Sequence, residues 1–363
     1  MNLNKKYKFF FPLDKQIEKL KEKDLLFENE SYAKHILIKN SYYNLINGYK
    51  DAFLSSELKK KNIEKFEDGT TFNDIYKLYE FDSDLRQLIL NITLSFEEDL
   101  ASSMAYVISE EYGDDHNNFL NYKKLRTGDS FYDKKRKKRT NERKDFLERI
   151  DNILNNPNEH PLKHYKENYI NIPAWILVKS MTFGNLKMWY KLSESAVKNK
   201  IISIFLVKDI DKITDRNKEI FMKSLDILNQ FRNKAAHGGR LYNYKGKIIL
   251  PYIKEYHLDI FGIEESEYNT GKGKSDFLAF LISLFYLYDG GVREYMMFDF
   301  AFIKCIRNLQ KLFESFIEEN ENSYKKVFVL MNIESNYVNL LIKNRILEDD
   351  YLYKYLIVSS LDK

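Results

Sequence analysis

The feature that most constrains this chain is a long, uninterrupted amphipathic stretch. After Thr71 comes "FNDIYKLYEFDSDLRQLILNITLSFEEDLASSMAYVISEEYG". In it Ile75, Leu78, Tyr79, Leu85, Leu88, Ile89, Ile92, Phe96, Leu100 and Met104 recur at spacings of three, four and seven. That period lines apolar side chains along one face of an α-helix. Gly113 follows, in the position where a helix commonly stops. The stretch predicts one spine helix or two collinear ones. Such a stripe must be covered, so other helices have to pack around it.

The composition allows this. In 363 residues there are only 13 glycines and 5 prolines, too few breakers for a sandwich of many short strands. Hydrophobic content of 44% and charged content of 31% describe a sizeable core with a solvated surface, not global disorder. The expected fold is mostly α, a multi-helix architecture with at most one small β-hairpin. "YKGKIILPYI", residues 244–253, is the expected place for that hairpin or for an extended segment. The single cysteine, Cys305, excludes an internal disulfide and a cysteine-based zinc site. A reducing, cytoplasmic compartment is therefore expected. No run of eighteen apolar residues occurs, so no membrane span is expected. The "KFFFPL" segment is too short for a signal-peptide core.

Other elements follow from punctuation. Asp14 after Pro12 reads as the N-cap of a short helix. Residues 31–54 read as a helix and an aromatic stretch broken at Gly48, and Pro173 starts a further helix, with Gly184 between two short ones. From Asp215 to about Leu241 the stripe Ile220, Phe221, Leu225, Leu228 and Phe231 predicts an amphipathic helix. "TGKGKSDFLAF" is not a P-loop, because the first glycine of that motif would fall on Tyr268. Residues 275–290, 294–319 and 334–360 again carry helical periodicity. Four regions are expected: 1–120 with the spine, 121–150 as a basic helical excursion, 151–245 with the motif helices, and a C-terminal helical region, 246–363, on the same core.

Two features bear chemistry. The first is a run of six basic residues, Lys134, Lys135, Arg136, Lys137, Lys138 and Arg139. It is either a solvated face or a surface that binds RNA by displacing counterions from phosphates. The net charge is only +4, so such local clusters matter more than the total. The second is "QFRNKAAHGGRLYNY", residues 230–244, in a chain with six histidines. On a helix, Asn233 and His237 share a face and Arg232 flanks it. Ala235 and Ala236 would let a partner or ligand approach closely. The set suits RNA cleavage without a metal or other cofactor. A neutral imidazole can take the proton of a 2′-hydroxyl. A guanidinium can meet charge growing on the phosphorane. An amide can orient the phosphate or the histidine. As bare spacing the pattern also fits an ordinary helix end, where basic residues favour the macrodipole.

Four blocks together resemble the Abi-like family of phage abortive-infection proteins, of the AbiD/AbiF type. They are "SYYNLINGYKDAFL", "LYEFDSDLRQLILNITLSFEEDLASSMAYVISEEYG", "IPAWILVKSMTFGNLKMWYKLS" and "FRNKAAHGGRLYNY", in the family's order, spanning roughly residues 31–244. The resemblance implies a HEPN-type helical domain whose RxxxxH motif is a ribonuclease site. Carried over, the motif falls on Arg232, Asn233 and His237, and Arg240, Leu241 and Asn243 match its tail. We group Arg240 with the basic run as an RNA contact. Many members have a second histidine after the first; this chain has Gly238. One motif per chain implies a composite site in a homodimer. The resemblance also implies a phage-defence or toxin–antitoxin role, with RNA as substrate and a small non-coding RNA as a restraint. A non-catalytic RNA-binding protein is the alternative.

Overall fold

The computed structural model describes residues 9–134, 136–157, 160–206, 208–295, 300–319 and 324–333. The N-terminal helices are α1 (Leu13–Lys21), α2 (Glu30–Asn40), α3 (Tyr42–Tyr49) and α4 (Ser56–Lys60). Asp14 lies inside the first turn of α1, where its charge suits the helix N-terminus, while Pro12 takes the cap position. Gly48 does not break α3, which runs on to Tyr49.

The predicted spine is a single helix, α5 (Phe72–Tyr112), of 41 residues. At 1.5 Å per residue it is about 60 Å long. Thr71 caps its start: the side chain accepts from the Asp74 amide, and the Asp74 carboxylate accepts from the Thr71 amide. Gly113, with φ +79°, ends it. Of the predicted stripe, Ile75, Leu78, Leu85, Ile89, Ile92, Phe96, Leu100 and Met104 are buried, and Tyr79 and Leu88 pack partly buried against the same core. Each buried side chain of this size contributes roughly 1.5–3 kcal/mol relative to exposure.

After α6 (His116–Phe119), strands β1 (Ser130–Asp133) and β2 (Lys138–Asn141) form an antiparallel hairpin, with Phe131 opposite Thr140 and Tyr132 opposite Arg139. They are the only strands among the described residues. This corrects two expectations. The hairpin lies at 130–141, not at 244–253, and the basic excursion is a hairpin followed by α7 (Glu142–Asn155), not helix throughout. Residues 244–253 find no partner strand among the described residues. Their amides instead bond singly to the loop ahead of a later helix: Gly246 to the Ser275 carbonyl and Leu250 to the Lys274 carbonyl.

The remaining elements are α8 (Leu162–Asn168), α9 (Ala174–Leu177), α10 (Phe183–Leu192), α11 (Ser195–Leu206), α12 (Asp215–Ala236), α13 (Lys254–His257), α14 (Glu265–Thr270), α15 (Phe277–Tyr295), α16 (Phe300–Glu319) and α17 (Tyr324–Leu330). Pro173 stands at the N-cap of α9, and Gly184 lies in the first turn of α10. The expected helix at 334–360 lies outside the described residues. The spine packs against α16, α12, α11, α9 and α3, and α12 also packs along α15. No described helix is long and apolar enough to cross a membrane.

Candidate functional site

The motif occupies the last turn of α12, and burial of one face of that helix fixes its position. Phe231 is buried, edge-on to Tyr244 and tilted against Phe280, each at 5.0 Å between ring centres. Ala235 is buried on the same side, whereas Asn233, Ala236 and His237 are exposed and Arg232 is half-buried. The small residues therefore divide: one packs inside the chain, and the other leaves the outer face low beside His237.

His237 is the C-cap, with φ −90° and ψ 15°. Gly238 follows in the left-handed region, at φ +64°. The Gly239 amide bonds to the Lys234 carbonyl at 2.9 Å and the Gly238 amide to the Ala235 carbonyl at 3.0 Å. This pair of bonds is a Schellman motif, which satisfies two of the helix's last carbonyls. It gives a physical reason for glycine directly after His237. The chain turns away at once, and the imidazole of His237 stands exposed with no hydrogen bond to a described residue.

Arg232 and Asn233 are linked. The guanidinium Nη1 donates to Asn233 Oδ1 at 3.4 Å, and Asn233 Nδ2 donates to Asn229 Oδ1 at 3.3 Å. The side-chain amide thus orients the arginine, rather than the phosphate or the histidine expected from sequence. On its inner side Arg232 faces Glu97 of α5, with Nη2 3.8 Å from Oε2. Burial pushes the Glu97 carboxyl above its ordinary value, opposed by the Arg232 charge and the Phe183 amide at the start of α10. Neither Glu97 Oε2 nor Arg232 Nε has a hydrogen-bond partner. The pair is close enough to feel each other's charge and too loose to be satisfied.

The tail of the signature is held quite differently. Asp82 of α5 is fully buried. It accepts from the Leu241 and Tyr242 amides at 2.9 and 2.7 Å, the Tyr49 hydroxyl at 2.7 Å and Arg86 Nη1 at 2.5 Å. Burial drives this carboxyl upward, against the pull of all four donors. Tyr49 also stacks on Tyr242 at 5.7 Å. Arg240 donates to the Gly48 carbonyl at 2.5 Å, so at least one of its donors ties the tail to α3.

Glu97 and Asp82 were not singled out from sequence, although a signal existed. Asp82 sits four residues after Leu78 and three before Leu85, on the buried stripe itself. A carboxylate at such a position must have partners, because an unpaired buried charge is too costly. Glu97 flanks the stripe one residue after Phe96.

The basic run sits at the hairpin tip, distant in sequence from the motif. Lys134, Arg136, Lys137, Lys138 and Arg139 are exposed, and Lys135 lies outside the described residues. Arg136 pairs with Asp133, Asp145 and Glu148, and Lys138 reaches Glu148 at 3.8 Å. Two of the six charges are thus partly compensated. No described contact joins the run to Arg232, Asn233 or His237.

The site is that of a helical protein presenting an Arg-Asn-x-x-x-His face at a helix C-terminus, backed by a buried acid. A family model of Abi-like proteins matches residues 35–243, more than half of the chain, and the chain belongs to that family. No curated protein and no solved structure matches it. The four sequence blocks all lie within or overlap the matched span, and the two carboxylates explain their joint presence. Asp82 joins the first, second and fourth, and Glu97 places the second beside the third and fourth.

Proposed function

We propose that this protein is a HEPN-type RNA endonuclease acting in abortive infection of phage-infected cells. The observation that carries the reading is the outer face of the α12 C-terminus. His237 is exposed, and Arg232 beside it is oriented by Asn233 and backed by Glu97. RNA supplies its own nucleophile, the 2′-hydroxyl. As its oxygen bonds to phosphorus, its proton passes to a neutral imidazole. The P–O5′ bond breaks, and an imidazolium returns a proton to the leaving oxygen. The products are a 2′,3′-cyclic phosphate and a 5′-hydroxyl, and the steps call for no metal. Arg232 neutralises charge that grows on the phosphorane oxygens.

One chain offers one His237 and one Arg232, so base and acid require two copies. In this reading a symmetric homodimer brings both motif faces into one cleft. The exposed Ala236 permits that approach. Restraint of the nuclease by a small non-coding RNA belongs to the same proposal.

The test is cleavage of end-labelled RNA with EDTA present, wild type against His237→Ala and Arg232→Ala. Cleavage by the wild type alone, with cyclic phosphate ends, is the expected result. Undiminished cleavage by His237→Ala ends the reading. Mixing the two inactive variants should restore part of the activity if each site draws on both chains.

A further inference from the structure

A second concentration of positive charge lies at the other end of α12, and its members are scattered in sequence. Arg126, Lys191, Lys198 and Lys218 line a pocket of about 240 Å³. They come from four places: the loop before β1, the end of α10, the first turns of α11 and the first turns of α12. Backbone pairing fixes this geometry. The Arg126 amide bonds to the Leu192 carbonyl at 2.7 Å, and Leu125 bridges Ser193. Lys198 Nζ donates to the Lys191 carbonyl at 2.6 Å. The starts of α11 and α12, Ser195 and Asp215, open onto the same pocket, and helix N-termini attract anions.

The charges there are unequally matched. Lys191 is neutralised by Asp129 and Glu142, and Lys218 by Asp215, whose carboxylate is almost fully exposed. Glu219, also at the rim, pairs with Arg216. Arg126 and Lys198 have no carboxylate partner among the described residues. Burial, then the charges of Arg126, Lys218 and Lys191, lower Lys198 to about 8. The local potential is therefore positive despite the rim acids. Tyr190 also lines the pocket, with its ring beneath Lys198, and its buried hydroxyl has no hydrogen-bond partner.

We propose that this pocket binds a phosphate monoester, with Arg126 and Lys198 as its principal ligands. A monoester carries close to two charges and ends in free oxygens that can enter a concavity. A backbone diester, flanked by sugars on both sides, cannot go in as far. From Lys218 to Arg232 is fourteen residues along α12, or about 21 Å. The pocket is therefore separate from the motif, and the inference does not depend on nuclease activity. The group is either the 5′-phosphate of an RNA strand or a free mononucleotide.

Calorimetry on the whole protein tests this, using inorganic phosphate and AMP as probes. A second arm uses one RNA oligonucleotide with a 5′-phosphate or a 5′-hydroxyl, on the His237→Ala background. Saturable AMP binding by wild type and by His237→Ala is expected. Lys198→Gln and Arg126→Gln should each weaken it at least about tenfold, the scale of a lost charge-assisted bond. Thermal unfolding verifies that each variant is folded. Lys212→Gln, a change at an exposed residue near α12 that does not line the pocket, should bind like wild type. A preference for the 5′-phosphorylated strand that Lys198→Gln abolishes assigns the source to RNA. AMP binding without that preference assigns it to a nucleotide. Absence of phosphate, AMP and 5′-phosphate effects in folded wild type overturns the proposal. So does wild-type affinity in both pocket variants, or equal loss in Lys212→Gln.

Discussion

Asp82 and Glu97 stand on one helix, and both face the signature segment, yet they are built in opposite ways. Asp82 is fully buried and takes four donors, two of them backbone amides. Glu97 is half-buried, faces one guanidinium at 3.8 Å and leaves an oxygen unpartnered. The first is a clamp: it fixes where the chain goes after α12. The second leaves donors of Arg232 uncommitted. A guanidinium that must meet a phosphate cannot have all its donors spent on its own protein. Satisfied buried charge marks architecture in this molecule, and unsatisfied charge marks the place where chemistry is proposed.

The largest effect should come from breaking the clamp. Asp82→Ala would leave the Tyr49 hydroxyl and two amides without this acceptor, and the Arg86 guanidinium without its carboxylate, bonded to the Tyr49 hydroxyl. Removing one member of a buried charged pair costs about 3–5 kcal/mol. Chemical denaturation should show that loss, with signature tail and α3 loosened together. A variant with wild-type stability would mean Asp82 is not the clamp. His237→Ala should do the reverse. Its side chain is exposed and bonded to nothing described, so unfolding should be unchanged. Cleavage should fall by about 10²–10⁴, the contribution of a positioned acid–base group.

Glu97→Gln sharpens the contrast. Burial raises the Glu97 carboxyl in the folded protein. An acid raised on folding contributes most below its unfolded value, and stability declines as pH rises through the folded one. Glutamine removes that decline. The melting temperature of Glu97→Gln relative to wild type should therefore rise from pH 4 to pH 7. Cleavage should drop by a smaller factor than in His237→Ala, with the loss in turnover, because Arg232 loses its backing charge. If Glu97→Gln is less stable at pH 7 than at pH 4 relative to wild type, the pair is a clamp after all.

The same contrast explains what could be read from sequence. The spine was legible because its stripe repeats within one helix, and the motif helix because Ile220 to Phe231 does likewise. The hairpin was not, because β1 and β2 are exposed apart from buried Thr140 and half-buried Asp133 and Asn141, and carry no alternating apolar pattern. A turn at Lys137, with φ +52°, and the ion pairs of Arg136 accompany it instead. Residues 244–253 misled because their β-branched residues suit a strand, but a strand needs a neighbour and none is present among the described residues. Arg232, Asn233 and His237 lie within six consecutive residues and could be grouped by spacing. Glu97 could not, since it reaches Arg232 across 135 positions. The Asp82 clamp spans 159 from α5 to Leu241. Local period is visible in a string of residues; closure across a core is not.

The smallest effect concerns Gly238. A methyl group there would meet nothing within 4 Å, so no side chain is excluded by contact. Its φ of +64° is the constraint. An L-residue in that region costs roughly 1 kcal/mol relative to glycine. Gly239 differs: a methyl group would lie 2.5 Å from Lys234 Cδ, at the far end of a side chain folded over the turn. Gly238→Ala should therefore lower stability by about 1 kcal/mol and leave α12 up to Arg232 intact. Gly238→His places a second imidazole directly after His237. It should cost about the same in stability and leave cleavage near wild type, because in the proposed composite site the second imidazole comes from the partner copy. A gain of tenfold or more in Gly238→His, without any change in oligomeric state, would show that a second histidine on the same chain can serve. In that event the two-chain site is not required, and the divided roles of the two His237 residues fall with it.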